Sequence, residues 1–164
     1  MNPPTSAPFA RRTLTSLALP GLIRLVAEID DNGPIRRGSF AVTFADLSRH
    51  QLRSAVESAR ALGVVTVTTR APVCYMLTDS GQLLADTYDA AARWARAHRY
   101  PTSSGNFVTR VQRTIHLIAL DLEDGTEHAP DSEISPAAIA DLREPRLALE
   151  ALIERLAAGL EHTE

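Results

Sequence analysis

The side chains best equipped for chemistry follow Ser48 in one short run: Arg49, His50, Gln51, Arg53 and Ser54, with Arg60 two turns further on. Arginine presents a planar fork that can pair bidentately with guanine or grip a phosphate, and glutamine can pair with adenine. Other chemistries are poorly served. The five histidines, at 50, 98, 116, 128 and 162, are scattered, and no two have the spacing of a helical zinc motif. The sequence has no glycine-rich phosphate loop, serine elbow or nucleophile with an adjacent base, so neither an enzyme, a metal nor a cofactor is expected. The single cysteine, Cys74, excludes an internal disulfide framework and reads as a small, buried or half-buried hydrophobe.

These residues need a scaffold, and the flanking sequence supplies one. Ser48 is a natural N-cap, after which Leu52, Val56, Ala59 and Leu62 recur at helical spacing on one side, leaving the polar residues with Glu57 on the other. Gly63 suits a left-handed helix end, and the β-branched run 64–69 then changes the period towards 2. Residues 70–72 form a tip and residues 73–77 return as the antiparallel partner. A threonine or aspartate at 78–79 caps a long helix to about residue 98, with Leu84, Tyr88, Ala91 and Ala95 on one stripe beside Trp94.

Upstream, a helix starts at Thr13 or Pro20 and ends near Asp31. A short helix anchored by Phe40 and Phe44 and capped by Ser39 or Thr43 ends near Leu47. Residues 1–12, with Pro3, Pro4 and Pro8, read as a disordered arm. Downstream, residues 100–105 break the chain and an apolar helix resumes over 106–122 through Phe107, Val111 and Ile115. Residues 123–135 form an acidic linker, Ser135-Pro136 opens a short helix, and Pro145 restarts the last one.

All 17 basic residues are arginines, the footprint of a GC-rich, actinobacterial-type genome. The net charge of −3 hides an asymmetry: residues 1–116 hold 14 arginines against 8 acids, and residues 117–164 hold 3 against 12. A basic front of this kind points towards nucleic acid. Arg11-Arg12 precedes leucines, but Pro20 and Arg24 interrupt the apolar run, so export is not expected. No apolar run approaches the ~20 residues that span a bilayer, so no membrane partner and a cytoplasmic location are expected.

Over residues 40–100 the chain resembles the HxlR-type winged helix regulators, within the MarR-like and PadR-like group. The resemblance rests on Phe40, on Ser48 with Leu52 and Val56, on Leu62-Gly63-Val64-Val65, on Tyr75, Leu77-Thr78, Gly81 and Leu84, and on Trp94 through His98. It implies a mainly α fold with a small β-hairpin wing: a winged helix-turn-helix over residues 13–100 and a helical extension, 101–164, for dimerisation or effector binding. It implies a homodimeric transcription regulator, a repressor, that recognises an inverted repeat in double-stranded DNA. Arg49, His50, Gln51, Arg53 and Ser54 would face base edges, while Arg60, Arg36, Arg37, Thr68, Thr69 and Arg70 would contact the backbone. Leu84, Tyr88, Trp94, Phe107, Val111 and Ile115 would form the dimer contact or hold a small hydrophobic effector. The same run is similar to the amino-terminal dimerisation domain of natural-product methyltransferases. The alternative is therefore a winged protein-interaction module without DNA binding.

Overall fold

A computed structural model describes residues 7–124 and 134–161. The fold is mainly α with one small antiparallel sheet. Helices α1 (Ala7–Leu17) and α2 (Pro20–Asn32) come first, followed by strand β1 (Ile35–Arg36), a 3-10 turn (Arg37–Ser39) and the one-turn helix α3 (Phe40–Thr43). Helix α4 (Arg49–Ala61) leads into β2 (Val65–Val67) and β3 (Cys74–Leu77). Four helices follow: α5 (Asp79–Ala97), α6 (Phe107–Asp124), α7 (Pro136–Asp141) and α8 (Arg143–Glu161). Most of the acidic linker expected at 123–135, together with residues 1–6, lies outside the described residues.

Two expectations need correction. The arm is helical from Ala7, because Pro8 sits in the first turn of α1, where its missing N–H costs nothing, and Leu14 and Leu17 give the helix a buried face. The sheet has three strands in the order β1-β3-β2, so β3 is central, with Arg36 opposite Cys74 on one side and Thr66 opposite Met76 on the other. The short helix also lacks the expected side-chain cap from Ser39.

Helix α5 is the axis of the molecule, packed by α2, α6 and α8. Its alanines at 85, 90, 91, 92 and 95 are buried and let neighbouring helices come close. The larger side chains add directional ties: Tyr88 O–H donates to the Leu17 carbonyl at 2.7 Å, and Trp94 Nε1–H to the Ala138 carbonyl at 2.9 Å. From α6, Gln112 Nε2–H donates to the Ala18 carbonyl at 3.0 Å. These bonds, two of them buried and the third part-buried, tie α1, α5, α6 and α7 into one core and satisfy polar groups that would be costly unpaired.

The junction from sheet to α5 is tight. Thr78 caps the helix by accepting from the Gly81 amide at 3.1 Å, and its hydroxyl donates to the Gly63 carbonyl at 2.6 Å. A Cβ on Gly81 would lie 2.0 Å from the Val64 carbonyl oxygen, so only glycine fits. Gly63 has φ +70°, the left-handed turn that ends α4 and starts β2.

Candidate nucleic-acid interface

Helix α4 is held by its caps and one narrow face. The Gln51 amide donates to Ser48 Oγ at 3.1 Å and the Ser48 amide to Gln51 Oε1 at 2.9 Å, a reciprocal capping box. Ala55 and Ala59 are buried, and Leu52 and Val56 are half-buried at the edges of the face packed on α2 and β2. At ~100° per residue, Arg49, Arg53, Glu57 and Arg60 share the opposite stripe, with His50 beside them. All five are exposed.

The end of α3 and the turn leading into α4 are clamped to α2 by Arg24. Its Nε–H donates to Asp46 Oδ2 at 3.2 Å, its Nη2–H to the Thr43 carbonyl at 3.3 Å, and its Nη1–H to Glu28. The guanidinium also lies 5.1 Å from the centre of the Phe44 ring. Burial works against this charge, but Glu28 and Asp46 outweigh it and raise the arginine above its ordinary value. Arg24 was missed in the sequence, although Glu28 four residues later is the signal of a helical ion pair.

The sheet contributes more arginines. Arg36 points outward from β1, and Arg37 follows with its amide donating to the Val73 carbonyl at 3.0 Å, so both flank the hairpin rather than preceding it. Thr69 and Arg70 are exposed at the tip. Three of the anticipated contact residues are engaged or partly covered. The side-chain oxygen of Gln51 serves the cap, Ser54 is half-buried, and Thr68 Oγ1 accepts from the Cys74 amide at 2.9 Å, which holds the hairpin closed. Cys74 is half-buried in β3 and in no disulfide, and His116 is exposed on α6.

The region is basic. Between residues 33 and 78 there are six arginines, at 36, 37, 49, 53, 60 and 70, and two acids, Asp46 and Glu57. Asp46 is taken by Arg24. None of the six arginines forms an ion pair with a described residue, and all are exposed. Elsewhere, Arg93, Arg146 and Arg155 are paired with acids, while Arg12, Arg96, Arg99, Arg113 and Arg143 are exposed and form no ion pair with a described residue.

The residues expected to form a dimer contact or effector pocket are placed differently. Leu84, Tyr88, Trp94, Val111 and Ile115 are buried within the chain's own α2–α5–α6–α8 core, and Phe107 is packed against it. The apolar stripe of α5, with Trp94 beside it, is satisfied intramolecularly. Three surface grooves, of about 400, 380 and 470 Å³, are lined by other residues.

Comparison with family models, with curated proteins and with solved structures finds no match to this chain. Among the described residues no helix is long and apolar enough to cross a membrane, and no cluster of three or more metal-ligating side chains occurs.

Proposed function

We propose that the chain is a DNA-binding transcription regulator in which α2 to α4 and the three-stranded sheet act as a winged helix-turn-helix of HxlR-like type. The reading is carried by six exposed arginines on α4, β1, the 3-10 turn and the hairpin that form no ion pair with a described residue. A phosphate backbone supplies the charge they lack, and salt-dependent counterion release accompanies its binding. Arg49 and Arg53 on the leading turns of α4 read base edges, and Arg36, Arg37, Arg60 and Arg70 grip phosphates. A cytoplasmic, homodimeric repressor on an inverted-repeat operator is the form this takes.

The test is alanine substitution against duplexes of different sequence. Arg49→Ala and Arg53→Ala should each cost about 1–3 kcal/mol on the preferred site and flatten the discrimination between sites, whereas Arg70→Ala should weaken all duplexes alike. Unchanged discrimination in Arg49→Ala and Arg53→Ala would remove α4 as the reading helix. The brevity of α3, a single turn, favours a second reading: a winged module for protein contact, whose partner binding would not depend on salt through phosphate neutralisation.

A further inference from the structure

The outer stripe of α8 runs Arg143, Leu147, Glu150, Glu154, spacings of four, three and four residues that keep all four side chains on one side of the helix. Leu147 is 52% exposed although it is a large apolar residue. Two surface grooves meet along this stripe at Glu150, one towards α7 and one towards α1. The charged residues that line them are Arg11, Arg143 and Arg146 against Asp121, Glu150 and Glu154, three of each sign. Residues 117–164 carry 3 arginines against 12 acids, so this face is neutral within a strongly acidic segment and escapes the repulsion that would oppose self-contact elsewhere on it.

The charges are also ordered along the stripe. Arg146 is engaged within the chain by Asp121 and by Glu150 at 3.0 Å. Arg143 and Glu154, at opposite ends, are exposed and form no ion pair with a described residue. They lie about 16 Å and three turns apart, at nearly the same angle around the helix.

From this pattern we propose that the α8 face is an interface between two copies of this chain, with the two α8 helices packed antiparallel across a two-fold axis. In that arrangement Arg143 meets the partner's Glu154 and Glu154 meets the partner's Arg143. The two Leu147 side chains meet near the axis, covering their exposed surface. An isologous contact of this kind closes at two copies. Helix α8 is far in sequence from the arginine surface, and the interface stands whether or not that surface binds DNA.

Sedimentation velocity on the full chain, without DNA and over a range of concentrations, tests it. The wild type sediments as a dimer. Arg143→Glu and Glu154→Arg each weaken dimerisation at least tenfold, because each places like charges opposite one another, and the double variant Arg143→Glu/Glu154→Arg restores the dimer by exchanging both signs. Leu147→Glu dissociates the dimer. A wild type that stays monomeric at about 0.1 mM, a dimer indifferent to the single reversals, or a double variant no tighter than the single ones would each overturn the proposal.

Discussion

Tyr88→Phe removes one oxygen from the middle of the core and leaves every ring contact in place. Tyr88 is 1% exposed, and its hydroxyl donates to the Leu17 carbonyl at the C-terminal end of α1, 71 residues away in the chain. The phenylalanine variant leaves that carbonyl buried against an apolar ring. The loss is the net worth of a neutral hydrogen bond, about 1 kcal/mol, rising towards ~3 kcal/mol to the extent that the carbonyl finds no water. For a chain of this size each kcal/mol lowers Tm by roughly 2–4 °C, so a fall of about 2–12 °C is expected. Burial also pushes the Tyr88 phenol well above its ordinary value. A raised folded pKa gives stability that is fully present below the unfolded value of about 10 and is lost as the pH rises beyond it. The gap between wild type and Tyr88→Phe should therefore be constant through neutral pH and narrow above about pH 10. Urea denaturation at pH 7 and pH 10.5 would measure both, with the m-value unchanged. A difference below about 0.3 kcal/mol at pH 7, or one that widens at alkaline pH, would refute the reasoning.

Two further substitutions probe the interface and the acidic edge. Arg24→Met keeps an unbranched side chain of similar length but removes the guanidinium over Phe44 and the clamp on Asp46, Glu28 and the Thr43 carbonyl, at a cost of about 1–2 kcal/mol for a partly exposed network. Hydrogen exchange should then accelerate at the Leu47 and Leu52 amides more than in the core of α5; uniform acceleration would mean the clamp is not local. The Asp89 carboxyl is raised by burial and by the neighbouring Asp30, Asp31 and Asp86, against Arg93. Its ionised form is thus disfavoured in the fold, and stability falls as the pH rises through that shifted range. Asp89→Asn should raise Tm slightly at pH 7 and lose that gain near pH 3; an equal gain at both would assign the effect to something other than charge.

What could be read from the sequence was whatever is decided locally. The cap at Ser48, the left-handed Gly63, the Thr78 cap and the Ser135-Pro136 start are all local chemistry, and each is present. Gln51 was legible too: three residues after Ser48, it completes a capping box, a reading that competes with an outward role. β1 was not legible, because two residues become a strand only when β3 offers them an edge. The apolar residues of α5 were legible by period, but periodicity cannot say whether they are covered by another chain or by the chain's own α6 and α8. In the structure Leu84, Tyr88, Ala91, Trp94 and Ala95 are closed from within. The arginine surface was half-legible, since α4 showed its polar side by period, whereas Arg36 and Arg37 join the hairpin only through the sheet.

The central claim is that the exposed arginines of α4, β1, the 3-10 turn and the hairpin bind a phosphate backbone. Fluorescence anisotropy of the purified protein on a labelled duplex from its own upstream region and on a scrambled duplex, over a series of salt concentrations, tests it most directly. Each phosphate neutralised contributes about −0.9 to the slope of log K against log salt, so a chain engaging at least three of the six arginines gives a slope of about −3 or steeper. The expected result is that slope, with tighter binding to the upstream duplex. A slope near zero, or binding that is equally weak on both duplexes, would contradict it.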